Sequence, residues 1–180
     1  MNGRGRALAE TDHPEAAFDF EAFFHEHYQG TARVIARVIR DPGRAEELAV
    51  EVFWKLWRHP SAHSEKAIGW VHRAAVRAAL NELRRLARSN KYEALVDASP
   101  TSPNPEQAHA AAEEQWQVRR VLAAIKFRKA ELLLLRSDGL SYEELAFALE
   151  INPKSVGSLL SRAQETFRKE YTKRYGEPKK

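Results

Sequence analysis

Apolar positions recur with a helical period along most of the chain. In "FDFEAFFHEHYQGTARVIARVIRD", Phe20, Phe24, Tyr28, Ile35, Val38 and Ile39 fall near one stripe, and Asp19 is placed to cap the first turn. "DPGRAEELAVEVFWKLWRHP" opens with Asp41 as cap and Pro42 at the first helical position. Ala45, Leu48, Val52, Phe53 and Leu56 form its apolar face, and Pro60 closes it. A third helix, "AIGWVHRAAVRAALNELRRLARSNK", turns Trp70, Ala74, Leu80, Leu83 and Ala87 inward and its arginines outward.

The periodicity then breaks. "DASPTSPNPE" holds Pro100, Pro103 and Pro105, and no helix continues through such a stretch. Asn104 and Pro105 restart a helix that carries Trp116, Val121, Leu122 and Ile125. A short helix around "KAELLLLRSDG" ends at Gly139, and Ser141 with Glu144 makes a capping box for "SYEELAFALE". Asn152 and Pro153 start a last helix that runs to about Tyr171. No segment reads as a strand. The expected fold is all-α, with two small helical domains at 15–91 and 105–175 and a Pro-rich linker at 92–104.

Composition adds limits. The chain has 180 residues, of which 43% are hydrophobic and 30% charged, the balance of a soluble globular protein. It has no Cys, which excludes disulfides and thiolate metal sites. The N-terminus lacks the apolar core of a secretory signal, and the longest aliphatic run, Leu132 to Leu135, is far short of a membrane span. A cytoplasmic protein without membrane insertion is expected. The formal charge is +4, but its distribution says more. Residues 66–91 carry seven bases against one acid, Glu82, whereas residues 92–118 carry five acids and no Lys or Arg. A basic surface suited to a polyanion is followed by a connector that is not.

The last two helices fit a helix-turn-helix. Leu145, Ala146 and Leu149 give the first its apolar face, Ile151 plugs the turn, and Val156, Leu160, Ala163 and Phe167 line the inner side of the second. Lys154, Ser155, Ser158, Leu159 and Arg162 then form its outward face. Taken alone, this segment fits a DNA reader and an ordinary helical hairpin about equally.

The order of "DPGRAEELAVEVFWKLWRHP", "AIGWVHRAAVRAALNELRR", a Pro-rich linker and "LLLLRSDGLSYEELAFALEINPKSVGSLLSRAQETFR" resembles the extracytoplasmic-function (ECF) class of bacterial RNA polymerase sigma factors. The resemblance spans most of residues 18–171. It implies that the first block is sigma region two, which binds the polymerase clamp and melts the minus-ten element. The second block would be region four, which docks on the minus-thirty-five element. It implies core RNA polymerase and promoter DNA as partners, admits an anti-sigma protein, and implies no enzymatic activity, cofactor or metal. Glu46, Glu47, Glu51, Phe53 and Trp57 keep the acidic and aromatic positions of the polymerase-binding helix, and Trp54, off the core stripe, joins Glu47 and Glu51 as a contact. Trp70, Arg84 and Arg85 match in the third helix. There Arg73, Arg77, Arg84 and Arg85 are expected on promoter DNA, beside the loop "HPSAHSEKA" that in relatives captures a flipped base.

The departures are specific. Val50 stands where Gln is usual, Arg77 and Asn81 where Asn and Asp are common, and Glu150 where the turn usually has Gly. No proline stands near Lys126. Gly157 and Leu159 replace a usual Lys and Arg in the recognition helix, which leaves Lys154, Ser155, Ser158 and Arg162 to meet DNA. With that loss, a sigma-like protein-interaction module, offering Leu159 and Leu160 as an apolar patch, stays open beside promoter recognition. So does a helix-turn-helix regulator that works without polymerase. His25 and His27 point to different sides of a helix, and His59 and His63 lack a third ligand, so no metal site is expected.

Overall fold

A computed structural model describes residues 18–64, 66–89 and 105–176 of the chain. It contains α1 (Phe20–Ile39), α2 (Pro42–Trp57), a 3-10 turn (Pro60–Ala62), α3 (Ala67–Arg88), α4 (Pro105–Ala124), α5 (Phe127–Ser137), α6 (Tyr142–Leu149) and α7 (Pro153–Tyr175). No strand occurs among the described residues. The linker expected at 92–104 lies outside them.

Local chemistry sets the helix ends. The Asp19 carboxylate accepts from the Ala22 N–H, and that of Asp41 from the Arg44 N–H, both at 2.9 Å. Each satisfies a donor that the first turn leaves unpaired. Ser141 and Glu144 close their capping box reciprocally, and the Asn152 side chain accepts from the Lys154 N–H. Gly139 takes φ +97°, a left-handed conformation that glycine enters without a Cβ penalty, and it ends the turn after α5. α7 runs one turn past the expected Tyr171, to Tyr175. Its added turn packs Tyr175 against Trp116 of α4, with ring centroids 6.3 Å apart.

The three N-terminal helices pack on one another, and α3 also touches α4, α5 and α6. Ile35, Val38 and Leu48 from the first unit share a buried cluster with Val121, Leu135, Leu145 and Leu160 from the second, joined through Val76, Leu80 and Leu83 of α3. A smaller cluster, Val52, Phe53, Leu56, Ala67 and Val71, sits under the aromatic rings of α1. Two expectations for α3 change. Ala87, placed inward by its period, is exposed near the helix end. The arginines do not all face solvent, because the C-terminal helices cover part of that face: the Arg73 side chain is 18% exposed.

Candidate functional site

α2 divides into two faces. Val52, Phe53 and Leu56 are buried, while Val50, Trp54 and Trp57 are about half exposed. Glu47, Glu51 and Trp54 recur at i, i+4 and i+7 and so lie on one stripe. Trp57 belongs to this outer face too. Its ring stands 5.1 Å from that of Trp54, and both indoles lie over water-facing surface where a core position would hide them. Exposed aromatics of this size on a polar helix face mark a contact surface more than a stability device.

Behind this stripe lies a charged anchor. Glu82 of α3, 5% exposed, accepts from Arg85 at 2.6 and 3.0 Å and from Arg44 of α2 at 3.3 Å. Arg44 also donates to Glu47 at 2.7 Å and stands 3.8 Å from Glu51. The Arg85 hydrogen bonds hold the Glu82 carboxyl below the usual carboxylate range, with Arg44 adding to them against the opposing effect of burial. Because the folded pKa lies below the unfolded one, the anchor stabilises fully above the unfolded value of about 4.3 and is lost as pH falls through the folded value. Glu82→Gln is therefore expected to cost about 1–3 kcal/mol at neutral pH. Its urea-unfolding curve should converge with that of the native protein as the solution is acidified. A gap that stays constant into acid would contradict the ion-pair account.

Of the four arginines expected on DNA, three reach the C-terminal unit. Arg73 donates to Glu150 at 3.0 Å, Arg77 to the fully buried Glu131, and Arg84 to the Ile125 carbonyl at 2.6 Å, over the Phe127 ring. Arg85 remains with Glu82. The structure thus brings Arg77 to Glu131, which sequence reasoning did not single out, and Arg73 to Glu150, which was noted there only as a departure in the turn. Two signals in the chain pointed this way: Phe147 lies off the apolar stripe of α6, and Glu150 stands in a turn where Gly is usual, at a position to which the structure gives φ 54°.

The loop before α3 is stiffened by its histidines. His59 Nδ1 lies 3.0 Å from the Lys55 carbonyl, and His63 Nε2 lies 2.9 Å from that of Leu56. Each ring thus engages one nitrogen at the C-terminus of α2. No group of three or more candidate metal ligands occurs among the described residues.

In the helix-turn-helix, Lys154, Ser158 and Arg162 are exposed, as expected, and Ser155 is half-buried. The Ser158 hydroxyl donates to the Ser155 carbonyl at 3.0 Å, so its remaining capacity is that of an acceptor. Leu159 differs from expectation. It is half-buried against the core, and Leu160 is 4% exposed, in a helix that packs on α4, α5 and α6. The apolar patch on which a protein-interaction reading rested is therefore not presented. A Cβ on Gly157 would meet the Tyr142 ring at 3.6 Å, an ordinary contact, so a side chain fits there.

Residues 23–89 match the family model for sigma-70 region 2, and residues 115–165 match that for sigma-70 region 4. The chain is an ECF sigma factor. It is similar to the ECF RNA polymerase sigma factor SigK of Mycolicibacterium vanbaalenii, at 29% identity over 84% of this chain and 82% of the relative. SigK of Mycobacterium tuberculosis is 26% identical over 87% of this chain and 86% of its own length. SigE of Mycolicibacterium smegmatis is 27% identical over 91% of this chain and 66% of its own length. Sigma factors of this type bind core RNA polymerase and direct promoter recognition and transcription initiation, as non-enzymatic regulators. Membership favours that function over the protein-interaction alternative and over a regulator that acts without polymerase. No described helix is long and apolar enough to cross a membrane.

Proposed function

We propose that this ECF sigma factor divides its work among three surfaces. Glu47, Glu51 and Trp54 on α2 bind the polymerase clamp. Arg73, Arg77, Arg84 and Arg85 on α3 meet the promoter backbone near the minus-ten element. Lys154, Ser155, Ser158 and Arg162 on α7 enter a major groove at the minus-thirty-five element. The observation that carries this reading is the exposed acidic and aromatic stripe of α2 in the same chain as a capped helix-turn-helix. Work on polymerase and promoter DNA places the protein in the cytoplasm, and an anti-sigma protein is the regulatory partner that fits it. Run-off transcription from genomic fragments with purified core enzyme tests the whole. Promoter-specific transcripts are expected only when the chain is added, and their absence across the genome would remove the reading.

The proposed domains are 15–91 and 105–175, with 92–104 as linker. Limited proteolysis is expected to cut first between Pro100 and Pro105. A first cut within α3 or α5 would count against those limits.

The recognition helix should contribute less affinity than its geometry allows. Lys154 and Arg162 lie two turns apart on the exposed side and can hold phosphates, and the N-terminus of α7 adds free N–H groups. Gly157 and Leu159 offer phosphates nothing. Arg162→Ala is expected to weaken binding to every sequence and to reduce the salt slope by about one. Gly157→Lys adds a charge on a half-exposed position and removes a helix penalty of about 1 kcal/mol, so tighter binding is expected. Fluorescence anisotropy on duplex DNA across a salt series measures both. An unchanged affinity in both variants would take α7 out of the DNA interface.

A further inference from the structure

Three arginines of α3 end on carboxylates: Arg73 on Glu150, Arg77 on Glu131 and Arg85 on Glu82. Arg84 and Arg88, one turn apart near the end of the same helix, do not. Arg84 donates to a backbone carbonyl, and Arg88 is exposed with no ion pair among the described residues. Both line a cleft of about 550 Å³ together with Arg120 of α4, Lys126 at the start of α5 and Arg174 of α7. Five cations from four elements thus converge on one cavity, and no Asp or Glu among the described residues lines it.

We propose that this cleft binds a compact polyphosphate group, either the phosphate chain of a nucleotide or inorganic polyphosphate. The site shares only Arg84 with the three surfaces proposed above.

Like charges around one cavity repel, and a concave wall of a single sign focuses their field on whatever enters. An anion with several charges relieves that repulsion. Two walls are already set for it. The Arg84 Nη2 donates to the Ile125 carbonyl at 2.6 Å and its guanidinium lies 5.0 Å from the Phe127 ring centroid, so the group is held in place by the protein itself. Its Nε is buried without an acceptor, which leaves donor capacity that the fold does not use. Across the cleft, Arg120 rests 4.6 Å from the Trp116 ring centroid, a contact that supplies no oxygen acceptor. Arg174 donates to Glu170 through Nε alone, at 2.6 Å, and keeps its two terminal amino groups for a phosphate. α5 starts here at Lys126 without a side-chain cap, so the positive end of that helix adds to the field. A chain of phosphates reaches both walls, whereas orthophosphate meets only one. A duplex presents its phosphates along a line, one charge per about 1.7 Å, and so also meets a concave site on one wall only.

The test uses the full chain, titrated calorimetrically with inorganic tripolyphosphate, GTP and orthophosphate at about 150 mM salt, where contacts between well-separated surface charges are screened. Tripolyphosphate and GTP are expected to bind saturably, one per chain, and orthophosphate at least about tenfold more weakly. Equal affinity for the first two assigns recognition to the phosphate chain alone, and tighter GTP makes the nucleoside part of the ligand. Arg88 and Lys126 are exposed and leave Arg84 untouched, so they carry the variants. Arg88→Glu with Lys126→Glu is expected to weaken tripolyphosphate binding by about fiftyfold, and Arg88→Gln with Lys126→Gln by about tenfold, with the helical circular dichroism spectrum unchanged. Lys55→Glu with Arg168→Glu makes the same change of net charge at exposed positions outside the cleft, and its affinity should stay within about twofold of the native value.

Heats that never saturate, or orthophosphate bound as tightly as tripolyphosphate, would overturn the site. Native affinity in both the Glu and the Gln double variants would overturn it as well. An equal loss in Lys55→Glu with Arg168→Glu would assign the binding to net charge and remove the cleft from it. Failure of tripolyphosphate and GTP to bind, together with weaker binding of a mixed-sequence DNA duplex to Arg88→Glu with Lys126→Glu, would make these cations part of the nucleic-acid surface and end the small-ligand reading.

Discussion

Replacing Glu47 and Glu51 together with lysine is expected to abolish capture of core RNA polymerase while leaving the helical circular dichroism spectrum unchanged. The side chains of Glu47 and Glu51 are 66% and 51% exposed, and they lie one turn apart on the stripe that continues to Trp54. Exposed carboxylates contribute little to folding. Their ion pairs with Arg44 are replaceable, because Arg44 keeps Glu82, and like charges along an exposed helix face cost only about 0.2–0.5 kcal/mol per pair. At an interface the balance is different. Each reversal converts an attraction to a basic group of the clamp into a repulsion that the docked geometry cannot relax, and like-charge juxtaposition there costs several kcal/mol. Pull-down with purified core enzyme, alongside the spectrum, measures both halves. Capture at the native level would remove this face of α2 from the account. A lost helical signal would mean that the carboxylates serve the fold instead.

The helices and their caps were legible because each depends on a few neighbouring residues. Asp19, Asp41, the Ser141–Glu144 box and Asn152 each act within three positions of themselves, and the structure uses all four in that way. The inner face of α7 followed from its period for the same reason, since Val156, Leu160 and Ala163 share one stripe. What the period could not give was the second neighbour. Leu159 follows the outward period of a lone helix, but α7 packs on α4, α5 and α6, and Leu159 is half-buried against the shared core. The arginines of α3 read as a solvated basic face because nothing in the sequence states that Glu131 and Glu150 lie across from them, 54 and 77 positions away. Long-range pairings of this kind leave only indirect traces, such as a charged residue in a turn that would favour glycine. Of the candidate site, the α2 stripe and the outward Lys154, Ser158 and Arg162 were legible. The covering of α3 was not.

The two faces of α2 should separate cleanly when adjacent aromatics are truncated one at a time. Phe53 is 1% exposed and meets Phe24 edge-on at 5.0 Å, with Phe23 and Tyr28 at 6.2 and 6.3 Å. It shares its buried cluster with Val52, Leu56, Ala67 and Val71, so its removal leaves a cavity bounded by α1, α2 and α3. Phe53→Ala is expected to cost about 3–5 kcal/mol, a large share of the 5–15 kcal/mol typical of a whole domain. Polymerase binding would then fall only through the fraction that remains folded. Trp54, the next residue, points the other way and is 56% exposed. Trp54→Ala removes a ring that rests on Trp57 and on little else in the core, so stability should change by no more than about 0.5 kcal/mol. If the stripe docks on polymerase, the same ring becomes a buried anchor, and its loss should cost about 2 kcal/mol or more of binding, roughly thirtyfold in affinity. Urea denaturation and titration with labelled core enzyme, run on both variants, give the four numbers needed. A Phe53→Ala variant as stable as the native protein would contradict the buried cluster. A Trp54→Ala variant that binds polymerase normally would leave the exposed tryptophan pair without a partner, because the carboxylates alone would then have to account for docking.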